Sequence, residues 1–257
     1  MFTKAICIVV TGLSYALTAT PPSSSRSVSE SKDKIKVERR FIDASSAPYL
    51  LVALTLFETS AYLLLMYRAR LGHNQDNAAM QQLGVLDSWH VVGSVVAVGA
   101  MLLRRWTYSA LDRFFTYQLT IRPGHRLVKT GPYRLLLHPS YTSAVFNAIA
   151  VYMVLWYKGL WDVAAYYLAR SIGYSARVFT MPFGIDMGML LPVLFGVFMA
   201  QMFLRRYKKE EMMLREHFGK EWDEYASKRW RFIVVDVQGE PITNKRALNI
   251  VELGLIM

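Results

Sequence analysis

Long apolar runs separated by polar connections dominate the hydrophobicity pattern of this chain. A helix that crosses a bilayer needs about 20 predominantly apolar residues. Five segments approach that length, at 5–20, 48–67, 85–103, 135–157 and 184–204, and the first of them is short. The pattern therefore predicts an all-α integral membrane bundle of about five transmembrane helices, with no large water-soluble domain.

The connections between these spans differ in basic charge. In order from the N-terminus, the terminal tails and connections contain 1, 6, 2, 7, 3 and 11 of the 30 Lys and Arg residues. By the positive-inside rule, the rich segments at 21–47, 104–134 and after 204 are cytosolic, and the N-terminus is outside. Residues 1–20 also resemble a cleavable signal peptide. Cleavage would leave the six basic residues of 21–47 outside, so a retained anchor is favoured.

The net charge of +11 changes this picture little, because a lipid bilayer with anionic headgroups accounts for it. No nucleic acid is expected as a partner, since no basic and aromatic surface stands apart from the spans. No metal is expected either, because the five His are scattered and Cys7 is the only cysteine. Glu58, near the middle of the second span, is either a functional carboxylate or a protonated one bonded to a neighbouring helix.

The polar regions carry weaker patterns. An aromatic-rich stretch at 159–183 indicates an interfacial amphipathic helix rather than a sixth span. The last span should continue as a helix into the cytosol, break or bend at Gly219, and resume as a short helix at 221–228. We divide the chain into an anchor and linker at 1–47, two spans at 48–112, a core at 113–232 and a tail at 233–257.

Two distant segments, both predicted to be cytosolic, carry the candidate chemistry. Residues 131–141 contain two prolines that free backbone polar groups, and two tyrosines whose rings and hydroxyls suit a nucleoside. On the second segment, 206–211, Glu210 and Glu211 can accept hydrogen bonds from an ammonium group or a ribose. Arg206 lies one helical turn before Glu210 and could hold a carboxylate through two bonds.

At these residues the sequence resembles the isoprenylcysteine carboxyl methyltransferase family. The resemblance lies in residues 131–141, 206–214 and 218–225, with a lead-in at 125–128. It implies an enzyme of the endoplasmic reticulum membrane that uses S-adenosyl-L-methionine to methylate the C-terminal carboxylate of a prenylated cysteine in proteins. The implied catalytic residues are Arg206, Arg134 and Glu210. The implied cofactor-binding residues are His125, Leu127, Val128, Gly131, Tyr133, His138, Pro139, Tyr141, Glu210 and Glu211.

One position departs from the family pattern. The family has Arg directly before His-Pro, where this chain has Leu137. Arg134, three residues earlier, could reach the same space. If the pocket binds a prenylcysteine carboxylate, Leu137→Arg should raise activity, unless Arg134 or Arg206 already holds that carboxylate. Two alternatives remain open: a phospholipid or small-amine methyltransferase of the same architecture, and a catalytically lapsed membrane binding protein.

Overall fold

The computed structural model describes residues 1–20, 46–72, 78–115, 121, 124–171, 173, 180–181 and 185–231. Helices make up almost all of this part of the chain. They are α1 (Phe2–Ala19), α2 (Ala47–Arg70), α3 (Ala78–Gly84), α4 (Ser88–Leu111), α5 (Pro139–Val151), α6 (Leu160–Ser171), α7 (Met187–Phe218) and α8 (Lys220–Ala226). Short 3-10 turns lie at Asp112–Phe114 and Gly131–Arg134, and a π-helical turn, Tyr152–Trp156, extends α5. A two-residue strand, β1 (Thr180–Met181), pairs with β2 (Ile185–Asp186) in an antiparallel hairpin.

The all-helical prediction is confirmed apart from that hairpin, whereas the number of spans is not. Within the described residues, α1 and α2 are long and apolar enough to cross a membrane. A third candidate is the pair Pro139–Trp156 and Leu160–Leu168, which is bent by 57°. Most of each predicted segment lies in a helix, although 85–87 and 135–138 precede α4 and α5, and Ile185–Asp186 form β2. Two to three candidate spans are therefore established, and five stay a prediction.

α1 lies at the centre of the bundle and packs against α2 and α4. Polar side chains tie these apolar helices together. Thr11 of α1 hydrogen-bonds to Ser94 of α4 over 3.2 Å, and Asn147 of α5 donates to Thr18 Oγ1 of α1 over 2.9 Å. Because lipid offers no competing partners, such bonds between buried groups favour one helix arrangement. The segment predicted as a retained anchor is thus an integral part of the packing.

At the opposite end of α1, a buried lysine joins three segments. Lys4 is 1% exposed, and its Nζ donates to the carbonyl oxygens of Leu83, Val85 and Lys158 at 2.8, 3.2 and 2.8 Å. The ammonium carries three donors, so every one of them is used. Nearby, Lys158 bonds to Asp87 over 2.6 Å, and Asp87 caps α4. This end of the bundle is therefore closed by polar contacts.

The remaining helices can be compared with the sequence patterns. α6 follows a sharp bend after the π-helical turn, and its place at the membrane interface rather than within a span stays a prediction. α7 ends at Phe218, Gly219 adopts a φ of +53°, and α8 starts at Lys220, so the predicted break is confirmed. Glu58 lies midway along α2 and is half-buried. The linker part of the predicted 1–47 unit, at 21–45, and the predicted tail at 233–257 lie outside the described residues.

Candidate functional site

The candidate site forms where the start of α5 meets the C-terminal half of α7. Pro132 and Pro139 prepare the local backbone, because each occupies an early helical position where its missing N–H costs nothing. Gly131 adopts a φ of +61°, and an added Cβ would come within 3.2 Å of both Ala110 and Trp106 on α4. Only glycine fits such a turn so close to a helix. The chain is thereby turned from α4 into α5.

The residues that follow α8 fix this turn from the other side. Leu137 N donates to Trp230 O over 2.8 Å, and Trp230 N donates to Leu135 O over 3.2 Å. The carbonyl of Tyr133 accepts hydrogen bonds from the Tyr225 hydroxyl and from Arg229 Nε, at 2.8 and 3.1 Å. The residues just before α5 and those just after α8 are thus joined by a short parallel β-bridge.

His138, Glu211 and Arg231 form the buried part of the site. His138 is 3% exposed, and its Nε2 lies 2.9 Å from Glu211 Oε1. Arg231 approaches the same carboxylate with Nε 3.0 Å from Oε1 and Nη2 3.3 Å from Oε2. Burial alone would raise the pKa of Glu211, but these hydrogen bonds outweigh it and hold that pKa below its ordinary value. The ionised carboxylate can only accept, so His138 carries a proton on Nε2.

Arg206, Tyr141 and Glu210 form a second, more open chain. The Tyr141 hydroxyl donates to Glu210 Oε2 over 2.8 Å and accepts from Arg206 Nε over 3.1 Å. The Tyr141 ring packs between His138 and Phe203, with centroid distances of 5.5 and 5.7 Å. Tyr141 therefore links the buried group of His138, Glu211 and Arg231 to the more open chain of Arg206 and Glu210.

Tyr133 belongs to the same neighbourhood. Burial first, and the negative charge of Glu210 second, raise the pKa of Tyr133 well above its ordinary value. Arg104 at the end of α4 acts in the opposite direction, and its Nη1 donates to Ser140 O over 3.2 Å. The phenol stays protonated and can donate.

The lead-in residues 125–128 lie against the end of α7 and against α8. His125 packs between the rings of Phe114 and Phe218, at centroid distances of 5.0 and 5.9 Å. Leu127 packs against an apolar cluster that includes Trp222 of α8. Val128 is half-buried on the same segment. In this arrangement residues 125–128 pack beside the candidate site, and their contact with a cofactor stays a prediction.

The structure changes the interpretation of Leu137. Its side chain is 5% exposed and lies with Trp222 and Tyr225 in that apolar cluster. An arginine there would place a charge inside an apolar cluster, which speaks against the expected gain in activity of Leu137→Arg, and that gain stays a prediction. Arg134 is exposed, and among the described residues it forms no hydrogen bond or ion pair. The two positions therefore do not share one space.

The sequence analysis did not single out two arginines that the structure places at the candidate site. Arg231 follows α8 by five residues, and Arg104 lies at the end of a predicted span; both sit in basic runs that the positive-inside rule already explains. Spacing alone gave no reason to single them out. The described residues contain no group of three His, Cys, Asp or Glu side chains that could hold a metal.

The donor set fits a cationic, nucleoside-bearing group. Both oxygens of Glu211 already accept hydrogen bonds from His138 or Arg231. Within the described residues, Glu210 accepts a hydrogen bond only through Oε2, from the Tyr141 hydroxyl. Glu210 Oε1, the Tyr133 phenol and the aromatic rings can therefore face such a group. The arrangement is suited to binding and orienting reactants, because no side chain that the structure describes at this site is poised as a separate nucleophile.

Comparison with known proteins agrees with this chemistry. Residues 92–181 match the model of the isoprenylcysteine carboxyl methyltransferase (ICMT) family. A probable protein-S-isoprenylcysteine O-methyltransferase from Oryza sativa, in both subspecies indica and japonica, is 26% identical over 180 residues, covering 68% of this chain and 77% of the relative. The uncharacterized protein YpbQ of Bacillus subtilis is 22% identical over 92 residues, covering 36% of this chain and 54% of that protein. No solved structure matches.

The family match contains the α5 side of the site and ends before α7 begins. The resemblance found in the sequence is confirmed by these matches: residues 92–181 of this chain are similar to the isoprenylcysteine carboxyl methyltransferase family.

Proposed function

We propose that this chain transfers a methyl group from S-adenosyl-L-methionine to the C-terminal carboxylate of a prenylated cysteine in proteins. The observation that carries the proposal is the chain Arg206–Tyr141–Glu210, which places a cation and a carboxylate on the two sides of one phenol. In this proposal the chain is a multi-pass protein of the endoplasmic reticulum membrane, and this site faces the cytosol.

In this proposal Glu210 binds the methyl donor and Arg206 binds the acceptor. S-adenosyl-L-methionine supplies an activated methyl group together with its own leaving group. Glu210 accepts hydrogen bonds from the ammonium or ribose of the donor through Oε1, and Tyr133 and Tyr141 flank the nucleoside. Arg206 holds the acceptor carboxylate, oriented by its bond to Tyr141. Catalysis rests on proximity and alignment. Arg134, which is exposed, stays a candidate for holding the same carboxylate.

The apolar surface beside this chain supports a lipid-modified acceptor. Phe203 packs on Tyr141, and α7 continues from there with exposed apolar side chains: Val193, Leu194, Val197 and Phe198. A prenyl chain can follow this face while its carboxylate stays at Arg206. One observation favours a second candidate: with Leu137 buried, no arginine precedes His138, which suits a phospholipid amine acceptor that needs no such cation.

Membranes containing the protein distinguish these functions. With radiolabelled S-adenosyl-L-methionine, we expect methylation of a farnesylcysteine analogue and not of phosphatidylethanolamine. Arg206→Gln should lower this activity about tenfold or more, because the acceptor loses a charged hydrogen bond. Arg205→Gln is the matched control, since the neighbouring Arg205 is exposed. Methylation of the phospholipid alone would support the second candidate, and binding without any methylation would support the lapsed enzyme.

A further inference from the structure

Arg231 is tied by its backbone to the residue whose side chain it helps to place. His138 N donates to Arg231 O over 3.3 Å, directly beside the bridge between Leu136 and Trp230. The position of Arg231 therefore does not depend on its own side chain. A substitution can remove the guanidinium while the backbone pairing remains.

The guanidinium and the imidazole approach Glu211 together. Oε1 accepts from both His138 Nε2 and Arg231 Nε, and Oε2 accepts from Arg231 at 3.3 and 3.4 Å. The exposed fractions of the three side chains are 2% for His138, 10% for Glu211 and 20% for Arg231. A fork that contacts both oxygens fixes the rotation of a carboxylate, which one ammonium group cannot do.

We infer that Arg231 is a positioning residue of the proposed donor site, acting through Glu211 to fix His138 beside Tyr141. This inference rests on the proposed function. In it, Arg206, Tyr141 and Glu210 contact the reactants, and the buried trio of His138, Glu211 and Arg231 holds those contact residues in place. His138 lies 5.5 Å from the Tyr141 ring and 5.6 Å from the Tyr207 ring, measured between centroids, so its orientation sets the wall of the site.

The first test follows the carboxylate itself and needs no bound donor. NMR of detergent-solubilised protein labelled at the glutamate δ-carbons is recorded across pH, with the Glu211 signal assigned from Glu211→Gln. Among the described residues, the charged or titratable groups facing Glu211 are His138 just before α5, Arg231 after α8 and Tyr207 on its own helix. In Arg231→Met, the Glu211 midpoint should rise by roughly one to three pH units. Arg215→Gln, which removes an exposed arginine paired with Asp223, should leave it unchanged.

The second test measures affinity for S-adenosylhomocysteine by calorimetry. Arg231→Met should weaken binding about five- to 100-fold near neutral pH, and more at acidic pH. Adding it to Glu211→Gln should have little further effect, because both changes break one unit. If Arg231→Met fails to fold, Arg231→Lys takes its place, with a smaller rise in midpoint and an intermediate affinity.

An unchanged midpoint together with unchanged affinity in a folded Arg231 variant would overturn the inference. An affinity loss that adds fully to that of Glu211→Gln would also overturn it, because the two residues would then act separately. Absence of binding by the unchanged protein would instead count against the proposed donor, while the carboxylate titration would still test Arg231.

Discussion

At the scale of single residues, adjacent glutamates serve different partners. Glu210 bonds to Tyr141, and Glu211 bonds to His138 and Arg231. Successive residues on a helix point about 100° apart, so one donor group cannot easily reach both. The sequence presented them as an equivalent pair, and the structure separates a contact residue from a supporting one.

The lowered pKa of Glu211 predicts how stability depends on pH. Since the folded pKa lies below the ordinary 4.5, the contribution of Glu211 is present above pH 4.5 and is lost as pH falls through the folded pKa. Thermal unfolding should therefore show a gap between the unchanged protein and Glu211→Gln that narrows below pH 4.5. Glu221→Gln is the control, because Glu221 lies in an exposed pair with Lys129. A gap that widens in acid would contradict this interpretation.

The buried place of Leu137 predicts the effect of a charge there. Leu137→Arg should lower the free energy of unfolding by about 3–5 kcal/mol, since the apolar cluster around Trp222 offers the charge no partner. Leu135→Arg, two residues earlier, should change it by less than about 0.5 kcal/mol, because Leu135 is 68% exposed. Denaturant unfolding in detergent measures both. Raised methylation without loss of stability in Leu137→Arg would show that this side chain faces the site.

At the scale of the elements, the break between α7 and α8 positions the site. Because α8 folds back, its Tyr225 reaches Tyr133, and the chain after it reaches His138. A continuous helix would carry Arg231 away from Glu211. The break thus couples the end of the described chain to the start of α5.

Gly219 should be the sensitive residue of this break. With φ +53° and ψ −124°, a Cβ is strained, so Gly219→Ala should cost about 1–3 kcal/mol although space is open around it. Gly99→Ala, in the middle of α4 with equally open space, should instead be neutral or stabilising, because alanine favours a helix. Chemical unfolding of the two variants compares them. Equal effects would mean that the backbone at Gly219 is unstrained.

At the scale of the whole molecule, the polar closure around Lys4 and the candidate site lie at opposite ends of α1. The Tyr108 hydroxyl of α4 donates to Thr18 O near the C-terminal end of α1, next to the Arg104–Ser140 contact. Lys4 lies at the N-terminal end. If α1 crosses the bilayer, these two ends face different compartments.

Labelling of engineered cysteines tests this topology. In a Cys7→Ala background, cysteines at Ser140 and Lys209 should react with an impermeant reagent only from the cytosolic side of sealed vesicles, as the charge bias predicts. A cysteine at Leu86, which is 42% exposed near the Lys4 end, should react only from the other side. Reaction of Ser140 or Lys209 from the lumen alone would overturn both the topology and the proposed cytosolic site.

The sequence by itself determined the helical class, the approximate positions of the apolar helices, the break at Gly219 and two of the three segments that meet at the candidate site. These depend on local properties: runs of apolar residues, glycine conformation and the spacing of side chains on one helix. Only the tertiary structure decided that Leu137 is buried, that Glu210 and Glu211 have different partners, and that Arg231 completes the buried trio. Each of these depends on contacts between residues far apart in the chain, such as the 73 positions that separate His138 from Glu211, for which local pattern carries no signal.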